Sequence, residues 1–351
     1  MNFTRRDFGK IALAAVPATS LLAAKPDSKW GGVQVGINAP YSFTRMSGTA
    51  DKIIDYMTQL NLSACELRLQ PVEAYLNAPG VYASANDAPG RGGGPAGGGG
   101  GARGGSGRGG GGRGFSGGGR GGGGRAAQTP EQQAAAAAAL AELTKWRAAL
   151  SMDKIKDFRK KYETAGILIQ IVKVDNIGTF TDDMIDYAFT VAKNLGAHAV
   201  STEGRESEAK RLGAFADKHK MMIGYHGHTD VNSDEAFGSA KSWETSDSYA
   251  KYNGINLDLG HFTAGNKTSP IPFMTEHHDR ITHVHIKDKT FGDKNVPFGQ
   301  GDTPIVEALQ LMKKNKWTFQ ATIEYEYATP AGSDVLTEIG KCVEYCRKAL
   351  A

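Results

Sequence analysis

Three short apolar runs in the last third of the chain each end in a side chain able to hold a divalent ion. Ile255-Asn256-Leu257-Asp258 is followed by His261, Ile281-Thr282-His283-Val284-His285 ends on its second histidine, and Ala321-Thr322-Ile323-Glu324 ends on a carboxylate. A hard or borderline divalent ion takes carboxylate oxygens and imidazole nitrogens from several directions. Parallel strands that each offer one ligand at the C-terminal end supply that geometry. The runs lie about thirty to forty residues apart, the length of one strand–helix unit. Alone, a histidine in an apolar strand is more often a hydrogen-bonded core residue. Ligands on three successive strand ends make Asp258, His285 and Glu324 candidate metal ligands. Strand alternation puts His283 one layer below His285 on the same face and Lys287 one layer above.

Two earlier strand ends add candidates. Ile223-Gly224-Tyr225-His226-Gly227-His228 offers two histidines facing one way, with His226 as a fourth ligand and His228 as a supporting or acid/base group. A pair of loop histidines bonded to backbone is the plainer alternative. Glu203, closing Ser201-Thr202-Glu203, is a candidate ligand or base, or else the partner of Arg205. Glu66 reads more simply as half of an internal ion pair with Arg68 or with another strand.

The elements that must position these groups alternate between strand and helix. Strand-like runs cover Gly32–Asn38, Ala64–Leu69, Ile167–Val174, Ala199–Glu203, Met221–His226, Ile255–Leu259, Thr282–Lys287 and Phe319–Glu324. Helical patterns lie between them at Ala50–Leu60, Met152–Ala165, Asp182–Leu195, Glu206–His219, Ser242–Tyr252, Pro304–Asn315 and Asp334–Leu350, with an alanine-rich helix over Gln128–Leu150. Eight such units in about 260 residues are the size of one (β/α)8 TIM barrel, whose active site lies at the C-terminal ends of its strands. A doubly wound sheet is the next choice. It is weakened because no glycine-rich nucleotide loop follows any strand.

Two segments stand outside that pattern. Thr4-Arg5-Arg6-Asp7-Phe8-Gly9-Lys10 and the apolar stretch Ile11–Leu22 match a twin-arginine signal peptide over residues 1–25. The stretch is too short for a permanent membrane anchor, so the expected location is periplasmic or exported. Residues 78–150 read as an insertion after the second strand, interrupting a barrel that runs over 30–351. Its centre, Gly90–Arg125, holds glycine at 24 of 36 positions, so it lacks the apolar surface to offset its ordering entropy and is expected to be disordered. Six arginines and no acid in that segment outweigh the whole chain's +4, and without them and the leader the body is net acidic. With only Phe115 available there for stacking, a nucleic-acid partner is not expected. Cys65, Cys342 and Cys346 form no zinc or disulfide framework and read as core residues.

Leu257-Asp258-Leu259-Gly260-His261, His283-Val284-His285-Ile286-Lys287-Asp288, Phe298-Gly299-Gln300-Gly301-Asp302 and Thr322-Ile323-Glu324-Tyr325-Glu326 together resemble the xylose isomerase-like TIM barrels. That group includes sugar phosphate isomerases/epimerases, inosose dehydratases and related endonucleases. The resemblance covers most of 33–350 apart from the insertion. It implies that Asp258, His285 and Glu324 bind a divalent ion (Mn, Mg, Co or Zn), that His261 contacts substrate, and that the Gly299/Gly301 loop is a tight turn near the site. Epimerases of the group usually end the fifth strand with a glutamate that is both ligand and proton shuttle; here it is His226. The endonuclease branch, with its extra histidine and acidic ligands and its nucleic-acid partner, does not fit this body.

The expected function is an exported, metal-dependent sugar isomerase/epimerase acting on an unphosphorylated keto- or hydroxy-sugar through an enediolate, with Glu203, His228, His261 and Lys287 handling protons. A lyase or dehydratase that eliminates from a keto-glycoside or keto-inositol is the alternative, and a non-catalytic carbohydrate-binding barrel the second. The partner expected is a small-molecule sugar. Nothing in the sequence specifies an oligomeric state.

Overall fold

Eight buried apolar runs pair side by side, every neighbour parallel, and close on themselves. They are β1 Val33–Ala39, β2 Ala64–Arg68, β3 Leu168–Lys173, β4 Ala199–Thr202, β5 Met222–His226, β6 Asn253–Asp258, β7 Ile281–Ile286 and β8 Gln320–Ile323. In this computed structural model, which describes residues 25–89, 129–233 and 235–351, consecutive strands are neighbours throughout. Closure comes from β8 against β1, with Ile323 opposite Ile37, while Ile37 also lies opposite Cys65 of β2. The (β/α)8 barrel read from the sequence is therefore the fold. Residues 1–24 of the expected leader and the Gly90–Arg125 tract lie outside the described residues.

Helices cover the barrel because their apolar residues recur on one face. Asp182–Leu195 shows the local logic. The Thr181 hydroxyl accepts from the Met184 amide at 3.4 Å, Asp182 and Asp183 sit at the positive end of the helix dipole, and Gly196 at φ +82° ends the helix. Ile185, Ala188, Phe189 and Ala192 then face the sheet, fully buried. No helix among the described residues is long and apolar enough to cross a membrane.

The alanine-rich helix spans Pro130–Ala149, started by a Thr129/Gln132 capping box with proline in its first turn. Most of it is exposed, and its buried residue is Arg147, which grips Glu73 of the helix Leu69–Tyr75. On the other side of the glycine-rich tract, the Asp87 carboxylate accepts from the Ser47 hydroxyl at 2.6 Å and the Gly48 amide at 2.8 Å.

Three short helices have no counterpart in the sequence reading: Leu69–Tyr75, Leu259–Asn266 and Ile271–Glu276. The first two follow β2 and β6 with no loop between. The run expected to extend to Leu259 stops at Asp258, because Asp258 ends the strand and caps the helix, its Oδ1 accepting from the His261 amide at 2.7 Å. That cap aims one carboxylate oxygen away from the site and the other into it.

Candidate metal centre

His226, Asp258, His285 and Glu324, from β5, β6, β7 and just past the end of β8, are all buried and converge at the C-terminal mouth of the barrel. One ligand atom from each lies within 4.8 Å of the others. Asp258 and His285 are direct register partners, which sets their height. Asp258 Oδ2, His285 Nδ1 and Glu324 Oε2 are buried polar atoms that form no hydrogen bond among the described residues, the two carboxylate oxygens being met only by the Lys287 ammonium as an ion pair, and His226 approaches Asp258 Oδ2 through its Nε2 at 4.0 Å. Uncompensated burial of such atoms is costly. A divalent ion satisfies the two carboxylate oxygens and the imidazoles together, so this donor set fits the group that the sequence implies.

Two more of the ligand candidates are held from behind, as Asp258 is by the His261 amide. Asn38 Nδ2, on β1, donates to Glu324 Oε1 at 2.8 Å. Glu66 Oε2, on β2, lies 2.6 Å from His285 Nε2. Burial by itself would lower the His285 imidazole, but Glu324 and Glu66 outweigh it and raise it to about 10. Burial raises the Asp258 carboxyl to about 6 against the pull of Lys287. Burial keeps His226 well below the usual histidine range, so it offers a neutral imidazole.

Lys287 enters this cluster from one layer above, as strand alternation implies. Its Nζ approaches Asp258 Oδ2 at 3.1 Å and Glu324 Oε2 at 2.6 Å as an ion pair, and bonds His261 Nε2 at 2.9 Å and Glu326 Oε2 at 2.8 Å. Its stem passes so close to Gly260 that a β-carbon there would overlap Lys287 Cγ. Burial and the neighbouring Lys287 and Lys289 hold His261 well below the usual range, so it too is neutral. The Gly299–Gly301 turn points its amides inward. Those of Gly299, Gln300 and Gly301 donate to Asp288 Oδ2 at 2.7, 3.1 and 3.0 Å, so they hold the chain and cradle no phosphate.

The overall likeness follows from this geometry. Residues 134–345 match the xylose isomerase-like TIM barrel family. The chain belongs to that family. No curated protein matches the sequence. Among solved structures, the probable 3-DHS dehydratase AsbF involved in petrobactin synthesis from Bacillus anthracis superposes with a TM-score of 0.54 at 10% identity, over 89% of this chain and 98% of that one. A xylose isomerase domain protein from Alicyclobacillus acidocaldarius gives 0.51 at 10%, over 90% and 99%. The IOLI protein with a bound zinc atom gives 0.51 at 11%, over 91% and 98%. At these identities the likeness is one of fold.

The mouth of this barrel also holds groups that the sequence reading places differently or passes over. Glu203 pairs with neither Arg205 nor the four-residue cluster: one oxygen takes the Lys173 ammonium and the other lies 2.7 Å from His228 Nε2. Burial alone would raise Glu203, and His226, Lys173 and His228 together hold it well below the carboxylate range. Lys173 was missed, although it ends β3 after Ile169 and Ile171 just as the other candidates end their runs. Glu66 does not pair with Arg68, which instead reaches Asp175 at 2.6 Å. Tyr41, over which the Arg68 guanidinium lies 5.0 Å from the ring centroid, donates to Glu326 Oε1 at 2.6 Å. No periodicity signals that contact.

Proposed function

We propose that this barrel is a divalent-metal-dependent enzyme of sugar chemistry, removing a proton beside a carbonyl of an unphosphorylated keto- or hydroxy-sugar. The observation that carries the reading is the set of four buried side chains at the ends of four consecutive strands, one ligand atom from each within 4.8 Å of the others. His226, Asp258, His285 and Glu324 would hold the ion. When bound, it would polarise the sugar carbonyl and lower the cost of the enediolate. The chain's own groups do the rest. His228, steadied by Glu203, takes the proton from carbon, and its side chain is 44% exposed at the mouth, where a substrate reaches it. Lys287 and neutral His261 bond the sugar oxygens, and Lys287 is the acid that returns a proton. The twin-arginine-like segment supports export, where phosphorylated sugars are scarce.

Return of the proton to the neighbouring carbon gives isomerisation or epimerisation, the leading reading. Elimination is favoured by one observation: β5 ends in His226, so the four-residue cluster has no glutamate on that strand to shuttle a proton with Glu324, its other carboxylate being Asp258 on β6. In that reaction His228 takes the proton, the C–H electron pair forms a double bond to the next carbon as that carbon's bond to the leaving oxygen breaks, and Lys287 protonates that oxygen.

Metal analysis of the purified protein, followed by incubation with ketoses and keto-glycosides in heavy water, tests the proposal. A stoichiometric divalent ion and deuterium at the carbon beside the carbonyl are expected. Sugar binding with no ion and no label would instead make this a carbohydrate-binding barrel.

A further inference from the structure

The Glu66 carboxylate touches no candidate substrate group and is fully buried, yet it spans the lumen from β2 to β7, strands that do not pair with each other. Its Oε2 lies 2.6 Å from His285 Nε2, and its Oε1 stands 3.3 Å from His283 Nε2, one layer down. His283 is fixed in turn by Thr282 Oγ1, 3.0 Å from its Nδ1. Either nitrogen of an imidazole can ligate an ion, and which one does is set by the hydrogen bond that the other makes. With Nε2 held by Glu66, the nitrogen presented to the mouth is Nδ1, 3.3 Å from Glu324 Oε1 and 3.9 Å from Asp258 Oδ2. Glu66, His283 and His285 also lie within ligand range of one another. Glu66 Oε2 is taken by His285, and Oε1 and His283 Nε2 face each other at 3.3 Å without an aligned hydrogen bond, so the trio reads as a brace and not as a second ion site.

We infer that Glu66 is the positioning residue of the metal centre: it selects His285 Nδ1 as the ligand atom, lends it negative charge through the Nε2–H bond, and is itself braced by His283. The inference rests on the proposed role of His285 as a ligand. A carboxylate behind a ligating histidine fixes tautomer and ring orientation and makes the nitrogen a stronger donor, and its loss typically weakens metal binding about 10–100-fold.

Zn2+ and Co2+ titrations of the full chain, as wild type, Glu66→Gln and His283→Asn, test this, with thermal melting in chelator recording whether each variant folds. Glu66→Gln keeps shape and an acceptor oxygen but loses the charge. Its affinity is expected to fall about tenfold or more. In the Co2+ form, the shifted, exchangeable His285 ring N–H resonance of the wild type should move and exchange faster, which a merely structural residue would not cause. His283→Asn loosens the brace without touching a ligand and should weaken binding severalfold. If Glu66→Gln fails to fold, His283→Asn decides. Wild-type affinity and an unmoved resonance in the folded variants would overturn the inference while leaving the metal centre in place. Absence of ion binding by the wild type would instead remove the centre itself.

Discussion

Lys287 Nζ lies 2.6 Å from Glu324 Oε2, with both side chains buried. The same ammonium serves Asp258 and Glu326, so one positive charge stands among three carboxylates. It holds the acids together in the metal-free protein, and it repels any cation that shares two of them. Replacing it should therefore split two properties that usually move together. Lys287→Met is expected to melt well below wild type in chelator, since removing one partner of a buried pair costs about 3–5 kcal/mol. It should also bind Zn2+ more tightly and regain more of its melting temperature on addition of the ion. Melting curves with and without Zn2+ check this. Equal stability in chelator would show that Lys287 is not the counter-ion of the cluster.

Ion binding should carry a defined pH slope. The ion needs the His285 Nδ1 lone pair and an ionised Asp258, and in the metal-free protein these groups are raised to about 10 and about 6. Both are raised, so falling pH returns protons that compete with the ion. Between those values one proton, from His285, is displaced per ion, and log K should climb by about one unit per pH unit. Below about 6 the Asp258 proton joins and the slope steepens. Calorimetry in buffers of different ionisation enthalpy counts the protons released. A flat profile between pH 6.5 and 8 would contradict the protonated His285.

His228 and Glu203 form a unit separable from the ion. His228→Gln should lower deuterium incorporation into substrate by about 10²–10⁴-fold, the usual contribution of a positioned acid or base. Its ion affinity should stay within a few-fold of wild type, because the Glu203 pair lies outside the four-residue cluster. Lys173→Met acts through Glu203: loss of the buried ammonium removes a charge that keeps this carboxylate ionised, so labelling should fall at low pH first. Equal loss of ion binding and labelling in His228→Gln would instead make His228 a ligand.

The barrel was legible because each strand is a run of apolar residues and each helix repeats its apolar positions at another period. Ligand candidates were legible for a related reason: Asp258, His285 and Glu324 interrupt apolar patterns where the strands end. What stayed hidden depends on closure. Glu66 and His285 are 219 residues apart and meet only because the eighth strand returns to the first. Glu203 reads in sequence as a ligand, a base or the partner of Arg205, whereas the barrel delivers Lys173 to it from the adjacent strand. The helix after Asp258 was invisible because one residue serves as strand end, cap and ligand candidate, which leaves no loop to mark the boundary.

The contact that fixes the alanine-rich helix gives a prediction far from the ion. Arg147 Nε and Nη2 meet the two Glu73 oxygens at 2.7 and 2.9 Å, Tyr187 donates to the same carboxylate at 3.1 Å, and the guanidinium lies over the Phe180 and Tyr187 rings. The rest of Pro130–Ala149 is mostly exposed, so little else holds it down. Arg147→Met leaves a buried carboxylate without its counter-charge and is expected to destabilise by about 3–5 kcal/mol. It should also expose the helix to rapid proteolysis. Adding Glu73→Leu removes the stranded charge, so the double variant should be more stable than Arg147→Met alone, although the helix remains protease-sensitive. Urea denaturation of the two single variants and the double variant, with limited proteolysis in native buffer, reads both quantities. Strict additivity of the two substitutions would mean that the pair does not act as a unit.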